Sequence, residues 1–146
     1  MLLQKQHLQS INEGKVTYVK DFVKLERTYD FNLISLLIEE NNLTILSKAN
    51  MANLKDIFQI HKVSSCLKEF RTFFDFLSKL FRYERDPKDE VDLFFSLTTQ
   101  VGNTHVDTED VFIIGLNGKT IYRSYGETDT EYCINKGDMI FIPKDI

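Results

Sequence analysis

The sequence predicts an α+β fold, with a mainly helical N-terminal part over residues 1–90 and an antiparallel β part over residues 91–146. Between Leu67 and Phe81 the apolar residues recur every three or four positions, which is the spacing of an amphipathic helix. After Pro87 the pattern changes to short β-branched and aromatic runs separated by turn signals such as Asn117-Gly118. These two patterns place helices first and strands second.

Length and composition fit one domain spanning residues 1–146. The chain has 146 residues with 12 Phe, 6 Tyr and no Trp, which is enough apolar material for a sizeable core. Its net charge is −4, and Lys and Arg are spread without a basic cluster, so we expect no nucleic-acid partner.

The N-terminus and the cysteines indicate the cellular compartment of the protein. Met1-Leu2-Leu3 passes at once into polar residues, unlike a signal peptide, and no window approaches the roughly 18 apolar residues of a membrane span. We therefore expect a soluble cytoplasmic protein with no membrane partner. Cys66 and Cys133 could form a disulfide, but two free buried thiols in a reducing compartment are the simpler interpretation.

Local patterns predict the elements of the helical part in order. Residues 1–12 have weak helical character, residues 16–19 are typical of a short strand, and Asp30 can cap a helix over residues 31–38 that ends at Asn41-Asn42. We expect a strand at 43–46, a helix from Asn53 to about His61, and the longest helix from Ser64 or Ser65 to Phe81. Residues 85–90 are a charged loop.

Six strands are predicted in the β part, over residues 91–100, 104–106, 111–116, 119–122, 131–134 and 139–142. Asn117-Gly118 predicts a type I′ hairpin turn between the third and fourth of these strands, because that turn needs positive φ at both central positions. Residues 135–138, which include Gly137, predict a similar turn before the last strand.

His105 and Asp107 are the candidate metal ligands. Two residues apart on an extended segment, their side chains point to the same side, so an imidazole and a carboxylate can converge on one ion. His105 could instead be a hydrogen-bonded structural histidine, and Asp107 could cap the turn at 108–110. His7 and His61 lie among helical residues, and we assign both to structure.

The segment that contains this pair resembles the cupin superfamily, and within it the Jumonji-C-like group of iron- and 2-oxoglutarate-dependent oxygenases. His105, Asp107 and Gly118 match the first cupin motif, in which Asp as second ligand is the Jumonji-like version, while Val111 takes the place of an acidic residue. Gly137 and Pro143 match the second motif. The resemblance covers about residues 92–146 and implies a cupin-type double-stranded β-helix, or jelly roll.

The resemblance also implies a third ligand. In the second motif a metal-binding His would follow Pro143 by five residues, two positions beyond Ile146, so we expect the barrel to be incomplete at the C-terminus. Either the sequence is a fragment of a longer reading frame, or a partner chain completes the sheet, or the domain has abandoned catalysis. An open sheet edge favours homo-oligomers.

The function implied by this resemblance is hydroxylation of a protein side chain or a small molecule with Fe(II) and 2-oxoglutarate. His105 and Asp107 would be catalytic as metal ligands, Thr120 and Tyr122 would contact 2-oxoglutarate, and Thr104 would line the pocket. The alternatives are a non-catalytic cupin that binds a small molecule or serves in assembly, and a sugar isomerase or epimerase.

Overall fold

Helices and antiparallel strands both occur in this chain, which has an α+β architecture. The computed structural model describes residues 1–46, 57–82, 91–99, 102–125 and 128–146. The chain divides into two units, one made of residues 1–30 and 104–146 and the other of residues 31–103. The first unit contains every candidate site residue.

Three helices and eight strands lie in the described ranges. The helices are α1 Lys5–Asn12, α2 Phe31–Asn41 and α3 Lys68–Phe81. The strands are β1 Thr17–Val19, β2 Ile45–Leu46, β3 Phe58–Ile60, β4 Leu93–Phe95, β5 Val111–Ile114, β6 Lys119–Ser124, β7 Thr130–Asn135 and β8 Met139–Ile142.

Strand β8 is the centre of the first unit. It pairs antiparallel with β1 on one edge and with β5 on the other. Met139, Ile140 and Phe141 are all buried, and the Phe141 ring lies 4.9 Å from that of Phe112 on β5. A run this apolar is stabilised by burial on both faces, and a partner on each edge satisfies its backbone groups.

Strands β5 to β8 form one long antiparallel ribbon with a bend in it. β6 pairs with β7, and β5 pairs with β8, so β5 and β6 follow each other along one arm. The predicted hairpin at Asn117-Gly118 is therefore wrong. Residues 135–138 do form a turn, in which Asp138 N–H donates to the Asn135 carbonyl at 3.0 Å, but β7 and β8 do not pair with each other. Gly118 has φ +65°, but it lies within the arm that connects β5 to β6, because pairing of β5 with the buried β8 outweighs the local turn preference.

Two glycines make the bend possible. Gly137 N–H donates to the Gly115 carbonyl at 2.8 Å, and Gly115 N–H donates to the Asp138 carbonyl at 3.0 Å. A Cβ on Gly115 would overlap the carbonyl oxygen of Asn135, and Gly137 has φ +88°. Only glycine fits both requirements without displacing the facing backbone.

Asp138 is a buried carboxylate that joins the N-terminal segment to the bend. Its Oδ2 accepts hydrogen bonds from the Tyr18 hydroxyl at 2.8 Å and from Asn135 N at 2.9 Å, and its Oδ1 accepts from Asp21 N at 2.9 Å. Burial raises the pKa of Asp138, but the hydrogen bonds from Asp21, Asn135 and Tyr18 outweigh it and hold that pKa below its ordinary value. Burial, followed by the bond to Asp138, raises the pKa of Tyr18 to about 12.

The second unit combines α2 and α3 with the antiparallel sheet β2-β3-β4. The helix predicted over residues 53–61 is wrong where the structure describes it, because 58–60 is the central strand β3; its start lies outside the described residues. Phe58 and Ile60 are buried with Gln59 between them, and this alternation, together with partners on both edges, favours a strand. The strand predicted over residues 91–100 is shorter, since β4 spans Leu93–Phe95.

The phenylalanine-rich helix is confirmed as α3. Phe70, Phe73 and Leu77 are buried along one side of it, as the spacing predicts. The predicted start at Ser64 or Ser65 falls in a turn of 3-10 helix at Val63–Ser65, and α3 itself begins at Lys68. The charged loop predicted at 85–90 lies outside the described residues.

Candidate metal site

The segment that carries His105 and Asp107 leads into β5. The strand predicted over residues 104–106 is wrong: these residues are described and have no regular secondary structure. The pairing between β5 and β8 starts at Val111 and Ile142, so no ladder of strand hydrogen bonds reaches the segment. Asp145 N–H instead donates to the Asp107 carbonyl at 2.8 Å, which brings the chain after β8 beside the segment.

The side chains of His105 and Asp107 converge although the segment is not a strand. His105 Nε2 lies 3.5 Å from Asp107 Oδ1, with the His105 side chain 72 % exposed and the Asp107 side chain 35 % exposed. This separation is longer than a well-formed hydrogen bond. Two ligand atoms bound to one first-row ion at about 2.1 Å each lie roughly 3–4 Å apart. The donor types and their separation therefore fit joint binding of one ion.

Tyr122 lies near Asp107. It is half-buried on β6, and its pKa is raised, first by burial and then by the negative charge of Asp107. The phenol is therefore protonated through the physiological pH range and remains a hydrogen-bond donor. Asp107 thus has two of the other predicted site residues near it, His105 and Tyr122.

Strand alternation places the other residues of β6 on one face of the strand or the other. Thr120 shares the face of Tyr122 and is exposed, and their partners across the ribbon are Ile134 and Tyr132. Arg123 lies on the opposite face, where its Nε is 2.9 Å from Glu131 Oε2. Lys119 shares that opposite face, as the alternation predicts.

Thr104 is near the candidate site only because it directly precedes His105 in the chain. It is exposed in the same irregular segment, directly before His105. Among the described residues, no group of three or more His, Cys, Asp and Glu is placed to share one ion.

The glycines and the proline of the two motifs have backbone roles in the structure. Gly118 and Gly137 have φ +65° and +88°, and a Cβ on Gly137 would lie 2.5 Å from the Val23 carbonyl oxygen. Pro143 is buried immediately after β8. The motif spacing therefore reflects where the ribbon must bend and end.

Sequence reasoning missed two acidic residues of the first unit, one at the bend of the ribbon and one beside the site. Asp138 carries the buried hydrogen bonds at the bend, and Asp110 Oδ1 accepts a hydrogen bond from Lys144 N at 3.0 Å. The signal for Asp138 was a charged residue inside an otherwise apolar run directly after Gly137. Asp110 had no such signal, because its partner is a backbone amide 34 residues away.

The other two histidines also have partners, and His61 follows strand β3, so its predicted place among helical residues is wrong. His61 Nδ1 lies 2.9 Å from Asp92 Oδ1, and the same carboxylate accepts from Gln59 Nε2 at 2.8 Å. His7 Nδ1 accepts the Gln4 N–H at the start of α1.

Comparison with known proteins identifies no relative. The chain matches no protein-family model, no curated protein and no solved structure. In the part of the chain that the structure describes, no helix is long and apolar enough to cross a membrane.

Proposed function

We propose that this chain binds Fe(II) through His105 and Asp107 and acts as a 2-oxoglutarate-dependent oxygenase of the Jumonji-C-like group, hydroxylating a protein side chain or a small molecule. The observation that supports this most directly is the 3.5 Å separation of His105 Nε2 and Asp107 Oδ1 beside Tyr122. Imidazole and carboxylate are the ligand types of the non-haem Fe(II) oxygenases.

The bent ribbon supports a cupin-type jelly roll for the first unit. Double-sheet jelly rolls contain antiparallel ribbons whose two arms cross from one sheet to the other. Here the arms change from the β5–β8 pairing to the β6–β7 pairing at Gly115 and Gly137. We propose that the two sheets are parts of such a roll.

The register of β5 with β8 supports a place for the third ligand. Val111 is opposite Ile142. If the same antiparallel register continued beyond this pair, His105 would be opposite the position six residues after Ile142. The family pattern has its second metal-binding histidine at that position. The bond from Asp145 N to the Asp107 carbonyl is one residue out of this register, so the proposed position holds to within one residue.

Thr120 and Tyr122 are the proposed contacts of 2-oxoglutarate. Both hydroxyls lie on one face of β6, and the raised pKa of Tyr122 keeps its phenol a donor to a carboxylate oxygen. Lys119 and Arg123 are on the other face, so we expect hydroxyl groups to orient the co-substrate. When bound, Fe(II) would activate O₂, which is the oxidant, and 2-oxoglutarate would be oxidised to succinate and CO₂ as the substrate is hydroxylated.

We also propose a cytoplasmic location, which the free thiols of Cys66 and Cys133 support.

Titration with Mn(II), a paramagnetic substitute for Fe(II), tests the metal site. In the ¹⁵N-labelled chain we expect amide resonances of residues 104–107 and 120–122 to broaden first. His105→Ala and Asp107→Ala should each abolish that broadening, because each removes half of the described ligand pair. His61→Ala is the matched control, since it removes a histidine paired with an aspartate elsewhere, and it should broaden like the parent.

Co-substrate use has its own assay. With Fe(II) and O₂, we expect the chain to convert 2-oxoglutarate to succinate, and Tyr122→Phe to raise the 2-oxoglutarate concentration needed for half-maximal rate. Metal binding without succinate would favour the non-catalytic cupin over the oxygenase. If Mn(II) broadens neither segment, or broadens both equally in His105→Ala, the metal site is refuted.

A further inference from the structure

We infer that Asp110 is a positioning residue for the proposed metal ligands. Its carboxylate attaches the chain after β8 to the segment that carries His105 and Asp107, and thereby sets the conformation of the ligand pair. This inference rests on the proposed function for its metal chemistry, but its structural part can be measured without metal.

Two hydrogen bonds carry the inference. Lys144 N–H donates to Asp110 Oδ1 at 3.0 Å, and Asp145 N–H donates to the Asp107 carbonyl at 2.8 Å. Consecutive amides of one chain thus contact both ends of the four-residue stretch from Asp107 to Asp110. Asp145 has φ +64°, a left-handed conformation that Asp adopts more readily than most residues other than glycine.

Regular strand pairing does not order the segment that carries the ligand pair. Residues 104–107 have no strand ladder, and the His105 side chain is mostly exposed, so burial contributes little to its position. A charge-assisted hydrogen bond to a backbone amide is stronger than a neutral one and is directional. Asp110 therefore acts on the ligand pair through the backbone, three residues after Asp107.

The same contact orders the other side of the proposed site. Lys144 and Asp145 follow the buried Pro143, in the chain where the family pattern continues toward its third ligand. Holding Lys144 and Asp145 against Asp107 and Asp110 keeps the chain after β8 at one distance from the segment that carries His105 and Asp107. Loss of the Asp110 carboxylate should loosen both segments together.

Amide hydrogen exchange in the metal-free chain tests the positioning. Asp110→Ala should speed exchange at Lys144 and Asp145 by roughly tenfold, as expected for loss of a hydrogen bond to a charged group. It should also shift the amide resonances of residues 104–107. Asp110→Asn keeps an acceptor oxygen, so its exchange rates and its amide resonances should stay close to those of the parent chain. Glu109→Ala, which removes the neighbouring charge without this bond, should change neither.

Mn(II) affinity gives the functional readout. We expect Asp110→Ala to weaken Mn(II) binding several-fold, with Asp110→Asn and Glu109→Ala close to the parent. A parent chain that binds no Mn(II) would refute the proposed function alone, and the exchange data would still decide the positioning. Unchanged exchange at Lys144 and unchanged 104–107 resonances in Asp110→Ala, or equal effects in Glu109→Ala, would overturn the inference.

Discussion

Replacing Asp138 by Asn should destabilise the first unit while leaving its shape almost unchanged. Oδ2 accepts from Tyr18 and Asn135, whereas Oδ1 accepts from the Asp21 amide. An Asn side chain in its better orientation keeps its oxygen toward Tyr18 and Asn135, but turns its NH₂ toward the Asp21 N–H. One buried donor then loses its acceptor, and the remaining bonds lose their charge assistance. We expect a loss of about 2–4 kcal/mol in the free energy of unfolding.

The same variant should alter the acid dependence of stability. The folded-state pKa of Asp138 is lowered from its ordinary 3.8, so its ionisation stabilises the fold above that pH. This contribution is lost as the pH falls through the lower folded-state pKa. The difference between parent and Asp138→Asn should therefore be constant from about pH 5 to 8 and should shrink below about 3.8.

Urea unfolding, followed by circular dichroism and tyrosine fluorescence at several pH values, measures both effects. Asp129→Asn is the control, because it removes the same charge from an exposed position. A loss below about 0.5 kcal/mol at pH 7, the size of an ordinary surface substitution, would contradict the role given to Asp138. A difference that stays constant down to pH 3 would contradict the lowered pKa.

Two more outcomes are expected from the same region. Tyr18→Phe should lower the free energy of unfolding by about 1 kcal/mol at neutral pH. It should also remove a tyrosine transition near pH 12 from an absorbance titration at 295 nm. Because the folded-state pKa of Tyr18 is raised, its stabilisation is present below about pH 10 and is lost as the pH rises toward 12. Gly137→Ala should destabilise more than Gly118→Ala in urea unfolding: both positions have positive φ, which costs about 1–2 kcal/mol, but only at Gly137 does the added Cβ meet a backbone oxygen. Equal costs at the two glycines, or a titration unchanged by Tyr18→Phe, would count against these contacts.

The sequence predicted best the elements that depend on interactions between residues close together in the chain. The stripe of Phe70, Phe73 and Leu77 identifies α3 because helix spacing repeats within one turn. It failed where pairing is non-local. Asn117-Gly118 fits a hairpin turn, yet β5 and β6 are paired with strands that come later in the chain. Phe58–Ile60 became a strand because β2 and β4 lie on either side of it.

For the candidate site, the sequence predicted the residue pair but not how it is supported. The spacing of His105 and Asp107 suggested convergence through a strand, whereas the two side chains approach each other from an irregular segment. Its contact with Asp145 depends on a bond across 38 residues, and no local pattern encodes such a bond. The resemblance pointed to Thr120, and Tyr122 was added because strand alternation, which is a local property, puts it on the same face.

The pairing of β1 with β8 bears on how the chain folds. Thr17 is opposite Phe141, and the Tyr18 hydroxyl reaches Asp138 across 120 positions. Closing so long a loop costs conformational entropy before any contact is gained, which slows folding. The unit of residues 31–103 is continuous in sequence and is complete before residues 104–146 are synthesised. We therefore expect it to acquire structure early, with the sheet around β8 forming in a late and slower phase.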